Sequence, residues 1–180
     1  MQYAGFWVRF VACFIDGLLF IPFTFLYYAL RSISWNTAVM IQIPFFLLWP
    51  LYNIYFLGRS GQTIGKKVAH IKVVLLDGPS VGYKQAFFRH VVDLFLAILV
   101  QLSLFMALFS VSKDGFDISE WREVNRLLYD ATPFWGFWAQ HAGSIWFLSE
   151  MVVLLFNEKK RAIHDFIAGT VVIKTKDKAV

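Results

Sequence analysis

Cysteine is nearly missing from this chain: Cys13 is the single one in 180 residues. An intrachain disulfide and a cysteine-built metal cluster are therefore excluded. Charge is also scarce. Only 16% of residues are Asp, Glu, Lys or Arg, against about 25% in soluble domains. Proline numbers five and histidine four. His70, His90, His141 and His164 show no metal-ligand spacing. Gly61-Gln-Thr-Ile-Gly65-Lys66-Lys67 lacks the spacing and the Ser/Thr of a phosphate-binding loop. His164-Asp165 lacks the companion ligands of a phosphohydrolase, and no nucleophile elbow is found. These absences argue against an enzyme and lead us to expect no metal and no cofactor.

Apolar residues are what the chain has. They make up 58%, aromatics 19%, and the net charge is +5. Four stretches, at about 6–30, 35–57, 86–111 and 133–156, are long enough to cross roughly 30 Å of hydrocarbon. The expected fold is one all-α membrane domain over residues 1–180, with four transmembrane helices. The first stretch is too long for the core of a cleaved leader and is expected to stay as a span.

The basic residues orient the chain. Arg9, Arg59, Lys66, Lys67, Lys72, Lys84, Arg89, Lys159, Lys160, Arg161, Lys174, Lys176 and Lys178 fall on one side. Arg31, Lys113, Arg122 and Arg126 fall on the other. Thirteen against four predicts that both termini face the cytoplasm. The net positive charge thus reflects topology, and no nucleic acid is expected as a partner. Trp35, Trp121, Trp135 and Trp138 are expected at the outer interface and Trp7 at the inner one, as an aromatic belt.

Residues 118–130 read as an outer amphipathic helix lying on the membrane. Ile118, Trp121, Val124 and Leu128 form its stripe, and Asp117 and Glu120 have capping-box spacing. Residues from Val68 to Pro79 read as a strand and turn, and Ala162 to Lys174 as a helical turn followed by a strand. The two strands are expected to pair into a small cytoplasmic cap.

Polar groups inside the spans are the candidate site. At about 1.5 Å per residue, Arg9, Arg89, Asp93, Glu150 and Asp16 all fall in the cytoplasmic half of the bilayer, and His141 in the outer half. Asp16 lies deepest. A charged side chain at that depth costs roughly 2.5–3.5 kcal/mol on insertion scales. Arg9 is seven residues away and leans toward the helix N-terminus, toward lipid phosphates or the cytoplasm. Asp16 therefore needs a partner from another helix, with Arg89 foremost, or a proton. Arg89 has Asp93 four residues on as an alternative. Three acids against two arginines leave one carboxylate over, the basis for an ion or proton site at Asp16, Asp93 and Glu150 with Arg9 and Arg89 as charge partners. The alternative is a static polar network that sets helix register. Pro22, Pro44 and Pro50 are expected to kink their helices, with Asn53 capping such a break.

Three blocks resemble a known family: Ala4-Gly-Phe-Trp-Val-Arg9-Phe-Val-Ala-Cys-Phe-Ile-Asp16, Gly61-Gln-Thr-Ile-Gly-Lys-Lys-Val-Ala-His-Ile-Lys-Val-Val, and Lys160-Arg-Ala-Ile-His164-Asp165-Phe-Ile-Ala-Gly-Thr-Val-Val. With Arg89 they are similar to the RDD family of membrane proteins, named for one arginine and two aspartates. The resemblance places the arginine on Arg9 and the first aspartate on Asp16. The second falls on Asp165, with Asp93 as the alternative. It implies a multi-pass protein of the bacterial cytoplasmic (inner) membrane, with either cation/proton antiport or an accessory role in membrane complexes. The partners it leaves are the lipid bilayer, protons or monovalent cations, and copies of itself or other membrane proteins. Asp165 also reads as a structural clasp between the tail and Arg9 or the 61–67 loop.

Overall fold

The computed structural model describes residues 2–111, 113–117 and 120–175. Four long helices dominate: α1 (Phe6–Arg31), α2 (Trp35–Ser60), α4 (Tyr83–Ser110) and α7 (Phe134–Phe156). All four are long and apolar enough to cross a membrane. Few of their apolar residues are buried by protein: Phe14, Leu47, Phe95 and Phe147 all face outward. Such exposure suits helices solvated by lipid, where backbone groups bond within the helix and side chains need no water. This is an all-α membrane protein.

Short elements join the spans. These are α3 (Ile64–Val68), β1 (Ile71–Leu75), α5 (Lys113–Asp117), α6 (Trp121–Asp130), α8 (Ile163–Ile167) and β2 (Thr170–Lys174). The prolines do not interrupt the helices: α1 runs through Pro22, and α2 through Pro44 and Pro50. Asn53, expected to cap a break, is instead buried within the continuous α2.

The chain divides into two compact units. One comprises Met1–Phe20, Pro50–Val92 and Ile145–Val180. Here β1 and β2 pair antiparallel, with Val73 opposite Val172. The residues before α1 extend this ribbon: Ala4 N–H donates to the Val172 carbonyl (2.9 Å) and Lys174 N–H to that of Gln2 (2.8 Å). Ala4, Ala12, Leu57, Ile71, Val73, Val81, Ala86 and Val172 form the core. The expected strand pairing is therefore present, but β1 starts at Ile71 because Val68 ends α3 and His70 takes a positive φ of 52°. Glycine supplies further sharp turns, with φ of 73° at Gly61 and 64° at Gly169.

The second unit comprises Ile21–Trp49 and Asp93–Ser144. Trp35, Ala38, Ala107, Leu108, Phe116, Val124 and Leu128 form its core. Two expectations change here. Trp35 does not face lipid: it is buried, its Nε1–H donates to the Leu108 carbonyl (2.8 Å), and Lys113 Nζ lies 4.3 Å from the ring centroid. In the amphipathic helix α6, Val124 and Leu128 pack into this protein core rather than on lipid. The helix starts at Trp121 with Glu120 as N-cap, while Asp117 ends α5, so the expected capping box is not formed. Ile118 and the Trp121 side chain lie outside the described residues, as do Lys176 and Lys178. Trp7 and Trp138 are exposed, as a belt requires.

Candidate functional site

Two buried polar nodes occupy the first unit. The first is centred on Asp16, which is 2% exposed. Its carboxylate accepts from the Tyr52 hydroxyl, the Thr63 hydroxyl and the Gly65 N–H, each at 2.6 Å. Thr63 is the N-cap of α3, so the turn that starts this helix also presents its donors to α1. Tyr52 Oη accepts from the Ile64 N–H at 2.9 Å, which closes the shell. Gly65 is required by proximity. A Cβ there would collide with the Ala12 carbonyl oxygen and sit 2.8 Å from the Asp16 carboxylate. Lys66, next along, lies with Nζ 3.4 Å from Thr63 Oγ1. Burial, with Arg89 adding to it, pushes its ammonium down to about 8, against the pull of Asp16.

The second node is centred on Asp165, which is fully buried. Arg9 Nη1 donates to its Oδ2 at 2.7 Å, and Arg89 Nη1 donates to its Oδ1. Thr170 Oγ1 accepts from Arg89 (2.8 Å) and donates to Asp165 Oδ1 (3.2 Å). The Ala162 N–H adds a bond at 3.0 Å, so Asp165 also caps α8. Burial alone would raise this carboxyl; the guanidiniums, Arg89 first and then Arg9, outweigh it and hold it well below the usual carboxylate range. The remaining Arg9 donors go to the Ala4 carbonyl (3.1 Å) and the Lys160 carbonyl.

His164 extends the node to α7. Its Nδ1 pairs with Glu150, and Glu150 also accepts the His164 backbone N–H at 2.9 Å. Arg89 Nη2 lies 2.7 Å from His164 Nε2. A guanidinium can only donate, so Nε2 accepts and Nδ1 carries the proton to Glu150. Two guanidiniums then face two carboxylates across a neutral imidazole. The node balances its own charge, which is what burial of four ionised groups demands.

The sequence-predicted residues are thus brought together in part. Arg9, Arg89, Asp165 and Glu150 share one network. Asp16 stands apart from both arginines, contrary to the expected Arg89–Asp16 pair: three neutral donors, from α2 and the turn into α3, hold it instead. Arg9 does lean toward the helix N-terminus, but it ends on Asp165 and the Lys160 carbonyl rather than on lipid phosphates. Asp93 is exposed and falls in the other unit, as does His141, whose ring stacks edge-on against Phe137 at 4.2 Å. Tyr52, Thr63, Gly65, His164 and Thr170 were not anticipated as site residues. Their signal lay in the 61–67 and 160–172 blocks, since short glycine- and hydroxyl-bearing turns beside a span have donors to offer. Among the described residues, no three His, Cys, Asp or Glu side chains gather as a metal site.

A model of the RDD family matches residues 3–169, which takes in both nodes. The chain belongs to the RDD family. Two relatives are uncharacterized proteins of Bacillus subtilis (strain 168). YxaI is 25% identical over 138 residues, covering 64% of this chain and 91% of its own length. YckC is 21% identical over 170 residues, covering 94% of this chain and 83% of its own. No solved structure matches. In this RDD protein the arginine Arg9 meets the aspartate Asp165, while Asp16 holds the turn that enters α3.

Proposed function

We propose that this RDD protein is a non-enzymatic accessory or scaffold protein of the bacterial cytoplasmic membrane, with both termini on the cytoplasmic side. The thirteen-to-four distribution of Lys and Arg supports that orientation. One observation carries the functional reading: Asp16 is held by three fixed protein donors, Tyr52, Thr63 and Gly65. The case for ion coupling rested on a carboxylate left over after Arg9 and Arg89 had been used. With three of its roughly four acceptor sites taken by fixed protein donors, Asp16 acts as an anchor for the 61–65 turn. The Asp165 node fastens the tail to α1 and α4 in the same way. Two buried polar nodes, each joining distant segments, make a rigid platform.

Ion-coupled transport is the second reading, and one feature favours it. The hydroxyl oxygens of Tyr52 and Thr63 beside a carboxylate are the hard oxygen donors that a monovalent cation takes. Proteoliposomes with an internal pH dye separate the two readings. The scaffold reading expects no proton movement on addition of Na⁺ or K⁺, for the wild type and for Asp16→Asn alike. Flux in the wild type that Asp16→Asn abolishes while remaining folded would overturn it in favour of transport.

A further inference from the structure

The last turns of α7 carry an apolar stripe that runs into a cationic turn of the chain. Residues advance about 100° each around a helix. Glu150 and Leu154 fall on one side of α7 and are buried. Ile145, Leu148, Val152, Leu155 and Phe156 gather within about 100° on the opposite side, and all five are exposed. Such a stripe suits lipid chains. Phe156, its last member, ends the helix and is 86% exposed. A helix of 23 residues is about 35 Å long, a little more than the roughly 30 Å of hydrocarbon. The residues that follow it therefore emerge among the lipid headgroups. They are Asn157-Glu158-Lys159-Lys160-Arg161.

This segment is a fixed turn. Asn157 Oδ1 accepts from the backbone N–H of Lys159 (3.0 Å) and of Arg161 (3.3 Å), and the Asn157 carbonyl accepts from the Lys160 N–H (2.9 Å). Arg9 holds the Lys160 carbonyl. Arg161 Nε donates to the Thr170 carbonyl (3.1 Å) and Nη2 to the Asp165 carbonyl (2.9 Å), while Cζ lies 4.0 Å from the centroid of the Phe166 ring. Carbonyls and a ring orient this guanidinium without cancelling its charge. The neighbouring carboxylates Asp165 and Glu150 are already taken by Arg9, Arg89 and His164. Glu158 is the one acid in the turn, so three cations leave an excess of two. We propose that this turn, together with the end of the α7 stripe, is a binding site for an anionic phospholipid. The acyl chains lie along Leu148, Val152 and Leu155, and the headgroup phosphate meets Lys159, Lys160 and Arg161. Basic segments just beyond a span draw anionic lipid; here Asn157 and Arg9 have fixed the turn in advance, which lowers the cost of ordering it around a ligand. A choline or ethanolamine headgroup would bring its own cation against the lysines, whereas a phosphodiester without an amine would not. A free phosphate would meet the turn and leave the stripe unused, so the continuity of the two favours a lipid. The inference rests on the chain spanning a membrane and on neither functional reading above.

The test is native mass spectrometry of the purified protein from micelles that hold phosphatidylglycerol and phosphatidylcholine in equal amounts. The wild type should retain phosphatidylglycerol in preference. Lys159→Gln with Lys160→Gln should weaken that retention about fivefold for each lysine and leave phosphatidylcholine binding as it was. Lys159→Arg with Lys160→Arg keeps the charge and should keep the preference. Arg122→Gln with Arg126→Gln makes the same change of charge on α6 and should leave the preference intact. Inorganic phosphate, exchanged for chloride at constant ionic strength, should not displace the lipid. Equal retention of the two lipids by the wild type, a glutamine pair that binds as the wild type does, an arginine pair as weak as the glutamine pair, an equal loss in the α6 pair, or displacement by inorganic phosphate would each overturn the proposal.

Discussion

Asp165 takes more protein contacts than any other charged side chain described above: two guanidiniums, the Thr170 hydroxyl and the Ala162 N–H converge on two oxygens. Removing one partner from such a buried cluster strands the others, which costs about 3–5 kcal/mol where charges are left unpaired. Asp165→Asn keeps the shape and loses the charge, leaving Arg9 and Arg89 to repel one another with Glu150 alone to balance them. The detergent-solubilised variant should melt well below the wild type, and trypsin should cut its tail faster near Lys159–Arg161. Arg9→Lys should cost less than Asp165→Asn. A lysine keeps one ion pair but cannot serve Asp165, the Ala4 carbonyl and the Lys160 carbonyl at once. A melting point unchanged by Asp165→Asn would show that the node does not hold the tail.

Elements explain why the spans could be read from the sequence and the site could not. Hydropathy alone locates four helices, and their ends shift by no more than about three residues. Local cap chemistry accounts for those shifts: α2 continues to Ser60, where Gly61 turns the chain with positive φ, and α4 starts early at Tyr83 behind Gly82. The short helices α3, α5 and α8 have five residues each and leave almost no periodic trace. Yet α3 and α8 choose the partners of Asp16 and Arg9. Counting charges by depth paired Asp16 with Arg89 because it could not see that the 61–65 turn delivers neutral donors. It offered Asp93, four residues on, as an alternative partner for Arg89, and could not see that Arg89 reaches the distant Asp165. Gly65 tests this account of α3. Gly65→Ala places a methyl against the Ala12 carbonyl oxygen and the Asp16 carboxylate, so α3 must lift away and break the Gly65–Asp16 bond. Hydrogen exchange at the Gly65 and Lys66 amides should rise in that variant while the spans stay protected; unchanged exchange would mean that α3 is held by other contacts.

Across the whole molecule, two groups outside the spans set how stability follows pH, and they act with different signs. Asp165 is depressed in the fold. Its contribution is therefore fully present above the ordinary carboxylate value and is lost as pH falls below about 4. Lys66 is depressed to about 8, against 10.5 for a free lysine. The unfolded chain then binds more protons at this site between those two values. Stability should rise with pH across the window from about 8 to 10.5, by at most about 1.4 kcal/mol per pH unit. Below pH 8 the site is protonated in both states and the slope vanishes. The penalty for burying the charged ammonium is then fully in place. Lys66→Met removes both penalty and slope. At pH 7 it should melt above the wild type, and its melting point should lose the extra rise that the wild type shows from pH 8 to 10. An identical pH profile for the two proteins would mean that Lys66 reaches water in the folded state, and that the charge of Asp16 is balanced from elsewhere in the unit.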